Sequence, residues 1–502
     1  MKFNPVHNAR QNKYIRKDNI LFMPNIFDGI KSGNAYKILI NGQWVESSSK
    51  QTFEIRNPAD GSLIASVQKA TKEDAERAVQ TAFDSKPKIA GMEPCDRANI
   101  LDRMAELLQN YRDDFIDIIC KESGKTKKLA EGEVYASVVR LRYAADEAKA
   151  IKGEVIEENG KTAIIIRQPL GVLLAITPFN YPLFTGIAKI APGIASGNSI
   201  VVKTASDDPI CLLMFGKIMQ EAGMPDGTIN ILSGPSSEIG DYLCSNPKVD
   251  MISFTGSTSA GKHIASIAGM KKLHMELGGK GAAIVLNDCD LDMAVKECMT
   301  GSLKYSGQRC DAIGRIIVVE SIANDFVKGV MKEINNWKFG DPRDKETVLG
   351  PLINERAANR VEELVNDAVA KGAKLLCGGK KHDLGYYEPT VLDNVTNDMR
   401  IAWEETFGPV VTIIRVKNYE EAIKLANESQ YGLDSCIFTK DASRVIDAGK
   451  RIECGAVHIN AHPTHGVGIF PFGGDKDSGM GREGIKYSVD EMSKVHTIVL
   501  HN

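Results

Sequence analysis

A cysteine stands at position 310 within Tyr305-Ser306-Gly307-Gln308-Arg309-Cys310-Asp311, among polar residues and beside an arginine. Taken alone, a cysteine after small residues is more often an inert core thiol than a reagent. A neighbouring guanidinium favours the thiolate, however, and the thiolate is the nucleophile, so the stretch also reads as a site of covalent attack on an electrophilic carbon. Glu276 lies 34 residues upstream, in Met275-Glu276-Leu277-Gly278-Gly279-Lys280. It reads either as an element-end glutamate before a glycine turn or as a general base whose proton affinity is raised by apolar neighbours. Earlier still, Thr177-Pro178-Phe179-Asn180-Tyr181-Pro182 closes an apolar run with two prolines around an asparagine. Asn180 is a turn residue on one reading and a stiffly held oxyanion donor on the other.

A nucleotide signal accompanies these pieces. A candidate strand at 249–254 runs into Thr255-Gly256-Ser257-Thr258-Ser259-Ala260-Gly261-Lys262-His263, which opens a helix. Glycines and free N–H groups at a helix N-terminus favour phosphate. Positions 256–262 also spell GxxxxGK, the outline of a phosphate-binding NTPase loop, but His263 follows where that loop needs Ser or Thr for Mg²⁺. The GxGxxG dinucleotide fingerprint is absent, so motif rules alone leave the cofactor open.

The elements that must hold these residues follow from periodicity. Residues 38–40 and 44–45 around Asn41-Gly42 predict a hairpin; 72–86, 95–123 and 129–151 carry apolar residues at helical spacing. Strands are expected at 162–167, 171–177, 199–202, 228–232 and 251–254, with helices near 209–222 and 236–244 and from about 259. Further strands are expected at 282–286, 315–319, 411–416 and 456–459. Such alternation predicts α/β architecture with doubly wound parallel sheets.

At 502 residues the chain exceeds what one core usually supports, so at least two domains are expected. Residues 1–36 read as a polar extension whose apolar part, 20–30, packs on the main body. A net charge of −3 gives no footprint for nucleic acid. No run is long and apolar enough for a membrane helix, and the first 17 residues do not form a secretory signal. Ten scattered cysteines without CxxC pairs read as reduced thiols, which places the protein in the cytoplasm as an expectation.

Together these segments resemble the aldehyde dehydrogenase superfamily from about Lys37 to the C-terminus. The ordered pieces are TPFNYP at 177–182, Lys203 at a strand end, FTGST at 254–258, MELGG at 275–279, GQRC at 307–310, EETFGPV at 404–410 and PFGG at 471–474. The resemblance implies two Rossmann-type α/β domains plus a small β oligomerisation element. Its implied division is a cofactor domain of 37–152 and 172–277, a catalytic domain of 278–470, and an oligomerisation element of 153–171 and 471–502. A homodimer or homotetramer follows from that element, whose edges a second subunit would cover.

The same resemblance implies that Cys310 adds to an aldehyde, that Asn180 and the Cys310 N–H hold the oxyanion, and that Glu276 activates the water that hydrolyses the thioester. No metal is needed. For the coenzyme it implies Lys203 and Ser206 at the adenosine ribose, Gly234 under the adenine side, and Gly256, Ser257 and Gly261 toward the pyrophosphate. Thr177, Pro178, Phe179, Phe254 and Leu277 complete the dinucleotide wall, and Glu405 and Phe407 meet the nicotinamide end. NADP is expected ahead of NAD, because Ser206 stands where many NAD-preferring relatives carry a glutamate. Residues 307–312 and 463–474 resemble most the non-phosphorylating glyceraldehyde-3-phosphate dehydrogenases, particularly archaeal ones, with lactaldehyde and succinate-semialdehyde dehydrogenases close by. Arg309, Arg140, Arg142, Asp311 and Tyr181 are the expected substrate contacts, the arginines as cations for phosphate or carboxylate.

Overall fold

Aliphatic and β-branched runs bounded by glycines and prolines become two mostly parallel sheets in the computed structural model, which describes residues 25–501. The first sheet runs in the order Gly479–Met480, Lys272–Glu276, Met251–Thr255, Val172–Ile176, Ser199–Lys203, Ile229–Leu232, Ile38–Ile40, Gln43–Val45. Its five central strands are parallel and its outer strands antiparallel. Every residue of Val172–Ile176 and of Ser199–Lys203 is buried, as expected of strands covered by helices on both faces. Each fully buried aliphatic side chain there contributes roughly 1.5–3 kcal/mol.

Strand order reverses beside Val172–Ile176. From it the chain steps one way to Ser199–Lys203 and Ile229–Leu232, then returns to place Met251–Thr255 on the other side. The carboxyl ends of strands flanking such a switch form the crevice in which α/β proteins bind ligands. The segments 177–181 and 256–257 leave the sheet there.

The second sheet has the order Lys374–Cys377, Thr390–Asp393, Val410–Val416, Ile313–Val319, Gly281–Val285, Asp434–Phe438, Ala456–Ile459. Only Lys374–Cys377 runs antiparallel to its neighbour. Only four residues, 277–280, separate the two sheets at this crossing, so Glu276 ends a strand of one and Gly281 begins a strand of the other. Cys310 lies just before Ile313–Val319. Both chemical groups therefore sit where the two sheets face each other.

A third sheet pairs Lys161–Pro169 with Glu154–Glu158 and with Ser493–His501. It leaves Val155, Ile156, Val495, Ile498, Val499 and Leu500 exposed. Before reaching it, the tail adds the edge strand Gly479–Met480 to the first sheet and forms the helix Ile485–Glu491, which packs on helices Lys127–Ala150 and Pro182–Ala195. Residues 471–501 therefore serve the first sheet and the site as well as the small sheet.

The α/β architecture expected from the sequence is the one adopted. The helical stretch expected over 95–123 is two helices, Pro94–Asn110 and Arg112–Ser123. Tyr111 separates them with φ −100° and ψ 20°, and its ring packs edge-on against Phe27 at 5.3 Å. Of the apolar part of the extension, 20–24 lies outside the described residues, while Phe27 and Ile30 are buried against the body. Among the described residues no helix is long and apolar enough to cross a membrane.

Candidate active site

Cys310 follows an unusual turn. Tyr305, Ser306 and Gly307 have φ of 55°, 52° and 71°, three successive left-handed residues of which only the glycine is at ease there. The surroundings hold them: the Tyr305 hydroxyl donates to the Ser123 carbonyl (3.1 Å) and the Ser306 hydroxyl to the Gly350 carbonyl (2.7 Å). The Gln308 side chain accepts from the Ile353 N–H at 2.9 Å. A Cβ on Gly307 would lie 2.1 Å from the Gly408 carbonyl oxygen. The nucleophile candidate thus stands on a loop fixed from several sides.

Close approach explains the double glycine after Glu276. A Cβ on Gly279 would lie 2.2 Å from the Cys310 carbonyl oxygen, and one on Gly278 would lie 2.8 Å from Glu405 Oε2. Neither glycine has positive φ, so the glycine turn weighed from the sequence is a packing requirement and not a left-handed one. Asn180 is 6% exposed, and its amide donates to the Gln308 carbonyl at 3.0 Å, which ties the oxyanion candidate to the loop of the thiol.

These side chains converge on one cavity of about 390 Å³. Asn180, Tyr181, Glu276, Arg309, Cys310 and Asp311 all line it, together with residues outside the expected contacts: Lys128, Lys304, Phe184, His465, Phe472 and Glu483. Burial pushes the Cys310 thiol well above its ordinary range, and the charges of Asp311 and Glu276 add to that. The expectation that Arg309 activates the thiol is overturned. Its guanidinium donates to the Gly301 carbonyl (2.9 Å) and faces Asp311 (3.5 Å), so its charge is committed elsewhere. Cys310 Sγ lies 3.7 Å from His465 Nε2.

Two other expected substrate cations are corrected. Arg140 is buried and paired with Glu483 at 2.8 Å, its guanidinium 3.8 Å from the centre of the Phe184 ring. It supports the cavity wall from behind. Arg142, two residues along the helix and hence on another face, is exposed and does not line the cavity. Lys128 and Lys304 do line the cavity.

Burial pushes the Glu276 carboxyl up to about 7, with His274 pulling against it. His274 Nε2 is 3.5 Å from Glu276 Oε1, and its Nδ1 is 2.6 Å from Glu491 Oε2. Although burial opposes its charge, the two carboxylates raise His274 to about 9. A signal for His274 was present: residues i and i+2 of a strand share a face, and His274 precedes Glu276 by two. Glu491 had none, being brought from 215 residues away by the tail.

The coenzyme candidates collect along the crevice of the first sheet. Lys203 is 1% exposed at a strand end, donates to the Thr204 carbonyl (2.6 Å), and is lowered by burial to about 8. The Ser206 hydroxyl donates to the carbonyl of Gly234, whose φ of 134° and close contact with Ala70 need glycine. Asp208, a carboxylate that would have repelled phosphate, is fully buried, and burial and Glu122 raise its pKa well above the usual range. Ser257 caps the helix Thr258–Ile267 by accepting from the Ala260 N–H. Phe254 is buried beneath Gly256, and Thr177 donates its N–H to the Lys203 carbonyl at 3.2 Å, with Pro178 next in the same loop. Phe179 meets Phe407 edge-on at 5.9 Å, and Glu405 accepts from the Gly279 N–H at 3.0 Å.

The GxxxxGK outline dissolves in three dimensions. Gly261 and Lys262 lie inside the helix, Gly261 packing on Leu277 and Lys262 pairing with Asp477 at 2.6 Å.

The sequence pattern of the aldehyde dehydrogenase family matches residues 44–498. An NADP-dependent glyceraldehyde-3-phosphate dehydrogenase from Streptococcus equinus is 40% identical over 471 residues, covering 92% of this chain and 98% of that protein. A lactaldehyde dehydrogenase from Methanococcus aeolicus is 36% identical over 468 residues, covering 92% of this chain and 100% of the relative. The crystal structure of NADP-dependent glyceraldehyde-3-phosphate dehydrogenase from Bacillus halodurans complexed with NADP superposes with a TM-score of 0.91 at 40% identity, covering 93% of this chain and 99% of that one. Matched along almost its whole described length by sequence and by fold, the chain belongs to the aldehyde dehydrogenase family.

Proposed function

We propose that the enzyme oxidises a short phosphorylated aldehyde of the glyceraldehyde 3-phosphate class to its carboxylic acid, with NADP, through a thioester on Cys310. The convergence of Cys310, Asn180 and Glu276 on one cavity carries the reading. Cys310 sulfur adds to the aldehyde carbon; the Asn180 amide and the Cys310 N–H stabilise the oxyanion. The nicotinamide, when bound, supplies the hydride acceptor. Glu276 then takes a proton from water, whose oxygen attacks the thioester and frees the thiol.

The residues present fit a dinucleotide. The helix N-terminus at Ser257 is exposed, Gly234 and Gly256 leave no room for a Cβ, and Lys203 ends its strand with a buried ammonium. Lys203 and Ser206 would hold the adenosine ribose, the 255–257 turn the pyrophosphate, and Glu405 and Phe407 the nicotinamide end. A 2′-phosphate is favoured by neutral Ser206 and by the burial of Asp208, against the exposed Asp207, whose charge acts on Lys203; a carboxylate added within a few ångströms costs on the order of 1 kcal/mol. Ser206→Glu is therefore expected to move the ratio of kcat/KM from NADP toward NAD by about tenfold. A wild-type enzyme that already favours NAD to that extent would sink the coenzyme assignment.

The phosphate end of the substrate is assigned to Lys128 and Lys304. Glu133 is engaged by buried Lys125, and Asp311 by Arg309 and His465, which leaves these two lysines, among the described residues, as the cavity-lining cations without an ion pair. Relative kcat/KM for glyceraldehyde 3-phosphate, glyceraldehyde, lactaldehyde and succinate semialdehyde tests this, with the phosphorylated aldehyde expected first. A neutral aldehyde in first place defeats the substrate assignment and leaves the chemistry standing. Dependence of NADPH formation on added CoA would instead indicate transfer of the acyl group. The exposed apolar face of the small sheet supports a homodimer or homotetramer, and ten free cysteines fit a reducing cytoplasm.

A further inference from the structure

We propose that Cys310, Asp311 and His465 form a binding site for a divalent ion of the zinc class, and that such an ion reversibly silences the enzyme by taking the thiol as a ligand. One ligand atom from each residue lies within 4.8 Å of the others. The Sγ–Nε2 separation is 3.7 Å and the Nε2–Oδ2 separation 3.4 Å. Zinc bonds of about 2.3 Å to sulfur and 2.0–2.2 Å to nitrogen and oxygen put tetrahedral ligand atoms roughly 3.3–3.6 Å apart. Two of the three edges are thus close to their final length, and the third lies within 4.8 Å.

The donor set selects the ion. Thiolate with imidazole and one carboxylate suits zinc and cobalt(II), whereas magnesium and calcium want oxygen alone. His465 is already oriented, its ring stacked on Phe472 with centroids 3.4 Å apart. Asp311 is held in place from two sides, facing Arg309 at 3.5 Å and His465 at 3.4 Å. Arg309 stays anchored by the Gly301 carbonyl while sharing Asp311. All three ligand residues line the cavity, from which water would complete the coordination.

Binding exchanges one proton for the metal: the Cys310 S–H bond breaks, a sulfur–metal bond forms, and the proton goes to solvent. No electrons move. The ion's charge offsets the burial that disfavours a bare thiolate. Silencing rests on Cys310 being the nucleophile; metal binding does not.

The test is titration of the chelator-treated full-length enzyme with cobalt(II), read by the sulfur-to-cobalt charge-transfer band, beside NADPH formation with zinc and then with chelator. One cobalt per chain, a band absent in Cys310→Ser, and activity lost with zinc and regained with chelator are expected. His465→Ala and Asp311→Asn are each expected to weaken cobalt binding at least about tenfold, with partial recovery in His465→Asp. A band that persists in Cys310→Ser, or unchanged affinity in a folded His465→Ala protein, overturns the site. Should Cys310→Ser lose the band yet keep turnover, the metal site stands and the catalytic reading falls.

Discussion

Replacing Cys310 by serine is expected to cut steady-state turnover by roughly a thousandfold or more, with coenzyme binding and fold retained. The exchange alters one atom on a loop held by Tyr305, Ser306 and Gln308, none of whose hydrogen bonds uses the sulfur. Stability should therefore change little. Reactivity should not survive, because burial and the charges of Asp311 and Glu276 already keep even the thiol protonated at neutral pH. A hydroxyl, intrinsically far harder to ionise, has no means of attack in that setting. Arg309 gives no help, being committed to Gly301 and Asp311, so the proton must leave to a nearby base such as His465 or Glu276. Aldehyde-dependent NADPH formation, with coenzyme titration and thermal unfolding alongside, checks the expectation; turnover near wild type would end the proposed chemistry.

What the sequence disclosed and what it withheld follow one physical division. Val172–Ile176, Ser199–Lys203 and Gly281–Val285 were readable because strands covered on both faces must be apolar throughout. Asp434–Phe438 went unread, since its Asp-Ser-Cys start lacks that signature although it is buried in the second sheet. Cys310, Glu276 and Asn180 were visible as local motifs, and the fold brings all three to one cavity. Partners supplied over long range were not visible. Glu483, which turns Arg140 from a substrate cation into a support, is 343 residues distant from it, and His465 is 155 residues from Cys310. Arg142 was misplaced because helical phase, and not proximity in sequence to Arg140, decides which face it occupies.

For Glu276→Gln a retained burst of NADPH is expected, followed by steady-state turnover slowed on the order of a hundredfold to ten-thousandfold. The burst needs only the Cys310 thiolate and its oxyanion donors, whereas release of the acid needs water deprotonated by Glu276. That carboxyl is pushed up to about 7 by burial, and among the described residues its one close polar neighbour of opposite charge is His274 at 3.5 Å, too long for a strong hydrogen bond, which leaves its oxygens for water. A base works in its deprotonated form, so wild-type turnover should climb as pH rises through about 7 and then level off. The glutamine variant should lose that limb. His274, held protonated between Glu276 and Glu491, is a positioning residue that draws the Glu276 carboxyl downward. Its replacement in His274→Gln should therefore carry the limb to higher pH by about one unit while leaving the plateau largely intact. Pre-steady-state NADPH traces and a pH profile of turnover measure both effects. Loss of the burst together with turnover would instead place Glu276 at the first step, taking the proton of Cys310, and an unmoved limb in His274→Gln would remove His274 from the account.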